Sequence, residues 1–326
     1  MIHAIVKCDD LAYVGAIMQS YENLKKEEKS NLVERLAYID FKLQFTGFVK
    51  RSEIGEMFNV ADAASSKALS AYSLWCKGNM EYDLSQKVNV ISRDSFNSLL
   101  MLDAEVALGM LANGFNKNKL PGASTTLIPY EKIDRVPNKL SIDCVAKITR
   151  ALSGGYAISC KYYSENSSNH NFRTIVPLAL MHDGTSWLFR GYDRDDSAKL
   201  NFKNFHFSRV SDVIELYNDD DGKKEEKEGL SNDKEWNLRI PLELRLHSTL
   251  DESTKRKIRL EFGIPEREDE IMIPVRCSFL WILLRKWFID DRSELEKLSD
   301  NESKVKKFYK FELINKETVL FLKNSI

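Results

Sequence analysis

The sequence predicts an α+β chain of several domains, and three stretches predict it. Residues 52–83 carry two short amphipathic helices, a tight turn and a hairpin pattern. Residues 156–209 fall into short apolar and aromatic blocks broken by Ser/Asn and Asp-Gly turn signals, the mark of several short strands. Beyond residue 235, strand-like alternation and an apolar helix make a further α+β module. A length of 326 residues with 43% hydrophobic content suits two or three domains, each able to bury a core.

Composition removes several function classes. No apolar run is long enough to span a membrane and no signal peptide is expected, so the cytoplasm is the expected compartment. The five cysteines (Cys8, Cys76, Cys144, Cys160 and Cys277) are scattered without CxxC spacing, which points to neither a disulfide framework nor a zinc site. No cofactor and no metal is expected. With a net charge of −1, any nucleic-acid binding must rest on a local basic face. The sequence holds no GxSxG, P-loop or strand-bound GxGxxG, and His182-Asp183 beside Ser186 falls on a hairpin turn where Asp-Gly is expected structurally. The expectation is a protein that is not an enzyme.

In chain order, Leu11, Val14, Met18 and Tyr21 predict a first amphipathic helix, and Ser30 opens a second that carries Leu32, Leu36, Ile39 and Leu43. Ser52 is the expected N-cap of a short helix with Ile54 and Met57. Asn59-Val60 makes the turn, and Asp62 is the expected cap of a helix burying Ser65, Leu69 and Tyr72. That spacing is a helix-turn-helix, whose second helix can enter the DNA major groove. Gly78-Asn79 and the strand-like residues after it read as a hairpin wing. The expected DNA contacts are Lys50, Arg51, Ser52, Ser66, Lys67, Ser70 and Lys77, cations interleaved with small hydroxyls that allow close approach to phosphates and base edges. Lys87 joins the basic cluster, and Glu53, Glu56 and Asp62 dilute it.

A helix-like block from Phe96 to Asn113 follows, broken between Asn116 and Pro121, and a helix from Ser141 to Leu152 leads into the strand-rich stretch. There Arg173, Arg190 and Arg209 stand in strand-like blocks among Trp187, Tyr192 and several phenylalanines. Arginine pairs bidentately with phosphate or carboxylate and stacks on aromatic faces, so an anionic, ring-containing ligand is one reading. The other is a solvated rim, with the arginines paired to Asp183, Asp193, Asp195 and Asp196. Residues 217–234 are charge-dense and read as a linker. Past it come a strand from Trp236 to Leu246, an Asp251-capped helix to Phe262, a strand from Glu270 to Arg276, an apolar helix opened by Ser278, and a closing strand from Thr318 to Leu322.

The order Arg173-x-x-x-Pro177, Asp183-Gly184-x-x-Trp187-x-x-Arg190-x-Tyr192, Phe202-x-x-Phe205 and Arg209-Val210 resembles a WYL domain, a small SH3/Sm-like β-barrel that serves bacterial transcription regulators as a ligand sensor. Trp187-Leu188-Phe189 stands in the place of the naming tripeptide, and Tyr162-x-Ser164 resembles the first strand. Leu178 replaces the His that family members often carry after the Pro. Upstream, Arg35-Leu36, Ile39, Gly47-x-Val49-x-Arg51, Phe58, Ser66, Leu69, Tyr72, Asn79 and Tyr82-Asp83 resemble the winged helix of the BrxR/CapW regulators of phage-defence islands (BREX and CBASS). Ala64, Ser65, Ser66, Lys67 and Ala68 stand where members often carry Gln-Ala-Ser-x-Asp, so no operator sequence carries over.

The resemblance implies a winged helix-turn-helix over 1–95, a connecting helix over 96–123, a WYL sensor over 124–216, a charged linker over 217–234 and a C-terminal dimerisation module over 235–326. It implies a homodimeric repressor that binds a double-stranded DNA operator with an inverted repeat. The effector would be a small nucleotide or oligonucleotide held by Tyr162, Ser164, Arg173, Trp187, Arg190, Tyr192 and Arg209. An activator of the same architecture, or a nucleotide-binding interaction protein without sequence-specific DNA binding, fits the same parts.

Overall fold

A 17-residue helix, α1 (Ser30–Thr46), organises the N-terminal half, because its apolar residues face two neighbours at once. Leu36, Ile39, Leu43 and Phe45 are fully buried. The helix ends at Gly47, whose φ of +84° only glycine adopts without strain, and turns directly into strand β1 (Phe48–Val49). The computed structural model describes residues 21–122, 128, 140–164, 171–196, 201–293, 295–298 and 308–326. The helix expected from Leu11 to Tyr21 lies outside these residues, except for Tyr21 itself.

Helices α2 (Arg51–Phe58) and α3 (Asp62–Trp75) follow, joined through Asn59 in the left-handed region, and β2 (Met80–Asp83) and β3 (Val88–Ile91) form the wing. The three short strands make one antiparallel sheet in the order β1-β3-β2. Two expected caps are corrected. The first helix is capped two residues earlier, at Lys50, whose N–H donates to the Glu53 carboxylate at 2.8 Å, so Ser52 lies inside the helix. Ala61 precedes the second helix, and Asp62 is its first residue, paired with Arg51 rather than capping.

The core of this half is locked by one buried carboxylate. Asp40, on α1, accepts from the Tyr72 hydroxyl of α3 (2.6 Å), the Ser98 hydroxyl (2.9 Å) and the backbone N–H groups of Leu99 (3.0 Å) and Leu100 (3.1 Å). Asn79 donates to Tyr72 in turn. Burial pushes the Asp40 carboxyl up while these donors pull it down, and burial wins. The backbone from Phe96 to Asp103 is thereby held as an irregular strap, so the helical block expected from Phe96 starts only at α4 (Ala104–Asn113), where Asp103 caps it.

Helix α5 (Ile142–Gly154), capped by Ser141, lies between α1 and the next sheet. That sheet holds β4 (Ile158–Tyr162), β5 (Phe172–His182), β6 (Trp187–Asp193), β7 (Phe202–His206) and β8 (Val210–Glu215), five antiparallel strands in the order β7-β6-β5-β4-β8. Its end strands, β7 and β8, do not pair with each other among the described residues, so the expected closed SH3/Sm-like barrel is here an open sheet. One apolar core runs from Leu36 and Tyr72 through Ile148 to Phe189 and Phe205.

The expected linker is ordered in its described form. Short 3₁₀ turns run through residues 220–232, and Gly222 packs so tightly that an added Cβ would sit 1.7 Å from the Leu216 carbonyl oxygen. The chain divides into two compact units, Met1–Lys224 and Glu225–Ile326.

The second unit has α6 (Lys234–Asn237), β9 (Arg239–Leu246), α7 (Glu252–Phe262), β10 (Glu270–Arg276), α8 (Leu280–Lys286), β11 (Ile289–Asp290), β12 (Phe311–Leu313) and α9 (Lys316–Asn324). The sheet order is β10-β9-β12-β11. Trp236 falls in α6, because the Asp233 carboxylate accepts its backbone N–H, and not in the strand. The apolar helix expected from Ser278 is shortened to α8: Phe288 turns left-handed (φ +52°) and frees Ile289 to pair with Phe311. Residues 318–322 are helical, with Val319 buried; the strand position beside β9 belongs to Phe311–Leu313.

Candidate nucleic-acid interface and sensor sheet

Between α2, α3 and the wing lies a groove of about 650 Å³, lined by Lys50, Arg51, Ser52 and Ser66 together with Tyr82, Gln86, Lys87 and Asn89 of the wing. Four of the seven expected contact residues therefore meet in one concavity. Lys67 and Ser70 are exposed on α3, one turn apart, and Lys77 is exposed just past its end. Leu69 and Ser66 lie toward the groove, while Ser65, Ala68 and Tyr72 are buried on the opposite side of the same helix. This is the 3.6-residue period at work: the side that packs leaves a complementary side open.

Arg51 makes a 3.1 Å ion pair with Asp62 across the helix-turn-helix, but both side chains are more than half exposed, so the pair is weak and easily exchanged for phosphate. The wing turn is fixed by Asp83, which accepts from the Ser85 hydroxyl (2.6 Å) and the N–H groups of Ser85 and Gln86; these bonds hold its carboxyl below the usual range. Lys87, next in the turn, has a left-handed backbone (φ +55°). Of the wing residues, Lys87 stood out in the sequence by its charge and Tyr82 by the winged-helix resemblance. Gln86 and Asn89 carry no such signal and join the groove through the hairpin's fold.

The sheet treats its arginines differently. Registered pairs share a face, so Cys160↔Arg173 and Ile175↔Asp193 put Arg173 and Asp193 on the side that faces the core, with Tyr162, Trp187 and Phe205. Arg173 there donates to Asp193 at 3.2 Å, and Lys203 reaches the same carboxylate at 3.2 Å. Arg190 and Tyr192 alternate to the opposite face. Arg190, only 2% exposed, donates to Asn204 at 2.9 Å, and the Tyr192 ring packs edge-on to Phe202 at 5.0 Å.

The seven expected ligand residues thus do not line one pocket; the two-residue strand period divides them. Tyr162 is buried, and its hydroxyl accepts the His206 N–H at 3.3 Å. Trp187 packs on His182. Ser164 follows β4 and is half-buried, and Arg209 ends the turn before β8, its carbonyl accepting the Tyr163 N–H. Arg173 has the expected partner, Asp193, but the pair lies on the core-facing side with Asp193 buried and not on a solvated rim. Asp183 serves its turn, accepting from Thr185 and Ser186.

A further polar centre was not legible in the sequence. Arg150, buried on α5, grips Glu215 at the end of β8 with two bonds (3.0 and 2.5 Å) and donates to the Gln44 carbonyl of α1 at 2.8 Å. Its partner lies 65 residues away in sequence, and no local pattern announces such a pair.

The family model described as the BrxR transcriptional regulator winged helix-turn-helix domain matches residues 31–113, and that of the WYL domain matches residues 143–215. The chain carries a BrxR-type winged helix and a WYL domain. Curated relatives extend the likeness along the chain. A protein named DNA-binding transcriptional repressor CapW from Escherichia coli (strain KTE188) is 26% identical over 77% of this chain and 80% of its own length. Its namesake from Pseudomonas aeruginosa is 26% identical over 80% of this chain and 84% of its own. Among solved structures, proteasome accessory factor B/C of Arthrobacter aurescens aligns with 74% of this chain and 41% of its own, at 16% identity and a TM-score of 0.23. No helix among the described residues is long and apolar enough to cross a membrane, and no described cluster of His, Cys, Asp and Glu could hold a metal.

Proposed function

We propose that this protein is a homodimeric, ligand-responsive, DNA-binding transcriptional repressor of a phage-defence operon. The observation that carries the reading is the groove. A helix-turn-helix and its wing converge on one concavity lined by Lys50, Arg51 and Lys87 together with the hydroxyls of Ser52 and Ser66, with one acid, Asp62, among them. Cations meet phosphates there, while Ser66, Gln86 and Asn89 suit base edges and sugars. The curated relatives, repressors by name, support the same reading.

Two-fold protomers present two recognition helices, so the operator is an inverted repeat. The second unit carries Trp281 and Phe321 exposed, 48% and 73%, which suits a protomer contact. The effector is an anionic, ring-bearing molecule of the nucleotide class. One face of the sheet offers it Arg190, Asn204, Tyr192 and Phe202, and the other offers Arg173, already paired with Asp193.

Titration of duplex DNA from the protein's own promoter region, at several salt concentrations, tests the first part. Affinity should fall steeply with salt, and footprints should show two related half-sites. A single unrepeated half-site bound at full strength by a monomer would rule the reading out. Removal of residues 236–326 should leave a monomer or a far weaker dimer in sedimentation. For the effector, Arg173→Ala and Arg190→Gln should each blunt the response of DNA affinity to added nucleotides while leaving ligand-free DNA binding nearly intact.

A further inference from the structure

A cavity of about 910 Å³ lies where the base of the wing meets the WYL sheet. Three of its wall residues, Arg93, Arg150 and Tyr156, reach Glu215, the last residue of β8. This carboxylate takes three partners from different elements. Arg150 of α5 makes the bidentate contact already described. The Tyr156 hydroxyl, between α5 and β4, donates at 2.6 Å. Arg93, two residues past the wing's return strand β3, places its Nε 3.6 Å away.

Arg93 is the only one of these partners that belongs to the wing. It also donates to the Tyr156 hydroxyl at 3.3 Å and lies 3.8 Å over the Tyr217 ring. Arg150 is tied to the other strand of the wing's base: it bonds Gln44 and packs beneath Gly47, whose carbonyl accepts the Ile91 N–H of β3 at 2.9 Å. The contacts differ in kind. The Arg150 side is short, bidentate and 9% exposed, whereas the Arg93 side is longer and its Nε, though buried, makes no hydrogen bond. One carboxylate is therefore held firmly by Arg150 and Tyr156 and loosely by Arg93, the partner that follows the wing's return strand.

We propose that Glu215 is a positioning residue for DNA binding: it sets the angle of the wing against α3 and carries displacements of the WYL sheet to it. The proposal rests on the DNA-binding reading above. Strand β8 pairs with β4, which pairs with β5, so any shift of the sheet's edge moves the Glu215 carboxylate. Arg150 follows it rigidly. The Arg93 contact, which has no hydrogen-bond geometry to lose, stretches first and releases the wing while α2 and α3 stay packed through Asp40.

Amide hydrogen exchange of the full chain, without DNA, tests the device directly. Loss of one charge-assisted bond predicts roughly tenfold faster exchange at the wing base, residues 88–93 and 47–49, in Glu215→Gln, with α2 and α3 protected as in the wild type. Arg93→Gln cuts only the wing side and should give the same local loosening with a smaller drop in melting temperature. It keeps the test valid if Glu215→Gln does not fold. DNA affinity of both variants should fall roughly 5- to 150-fold, the range of typical coupling. Unchanged wing protection in folded Arg93→Gln, or loosening spread evenly over the whole winged helix, overturns the proposal. Because the exchange needs no DNA, a wild-type protein that ignores duplex DNA would fail the regulator reading separately.

Discussion

The groove beside the wing and the WYL sheet both collect cations beside aromatic rings, yet they use them in opposite ways. In the groove, Lys50, Arg51 and Lys87 are exposed, and their one described acidic partner, Asp62, is exposed too. In the sheet, Arg173 and Arg190 are drawn down to Asp193 and Asn204. Exposed cations cost the fold little and remain available to a polyanion. Sunken ones are already engaged, and removing them unpairs a buried group. The difference says which cations can be removed at little cost to the fold and which cannot.

The largest effect should come from the buried side. Arg150→Ala leaves Glu215 charged and buried, and should destabilise the first unit by about 3–5 kcal/mol in urea unfolding. A loss near that of an exposed cation would mean that water fills the site and that burial does not distinguish the two regions. Next come the groove variants. Lys67→Ala, Arg51→Ala and Lys87→Ala should each weaken DNA binding by about 1–3 kcal/mol where the side chain meets a base, and less where it meets only phosphate. Their unfolding midpoints should stay within about 0.5 kcal/mol of the wild type. A destabilised Arg51→Ala would assign the Asp62 pair to the fold instead.

The smallest effect concerns acid, and lies in the second unit. Burial would raise the Asp290 carboxyl, but Arg292, with help from His247, holds it down at about 2. Its folded value is thus below the ordinary 3.8, so its stabilisation is present above pH 4 and lost as the pH falls toward 2. Asp290→Asn should be less stable than the wild type at pH 7, with the gap closing across that window in thermal melts. A constant gap would mean that the carboxylate's charge contributes nothing.

The comparison also explains what could be read in the sequence. Along α3, buried Ser65 and Tyr72 and exposed Lys67 and Ser70 follow a helical period and were legible before the fold, whereas Ala68 is buried and Leu69, expected to be, is only part-buried. In β6 the same eye for clustered residues grouped Trp187, Arg190 and Tyr192, although Arg190 lies an odd step from Trp187 and an even one from Tyr192. Proximity in a strand means opposite faces at every odd step. The strand assigned to residues 318–322 failed for a related reason: apolar composition alone does not say which element already occupies the sheet edge. Ser52 and Asp62 show that a polar residue near a helix start is not its cap until the backbone bond is seen. Glu215 and Arg150 were beyond reach, because only tertiary structure joins them.

The single apolar core that runs from Leu36 through Ile148 to Phe205 has a consequence for how the molecule can be dissected. A winged helix excised at residue 95 would bare the side of α1 that α5 covers, so the reading head has no independent existence to fall back on. The two parts of the first unit should melt in one calorimetric transition. Any molecule that binds the WYL sheet in its folded form then raises the melting point of the wing as well, in proportion to the logarithm of its concentration. A fluorophore far from the sheet, near the groove, would serve as a thermometer for occupancy of a site it never touches.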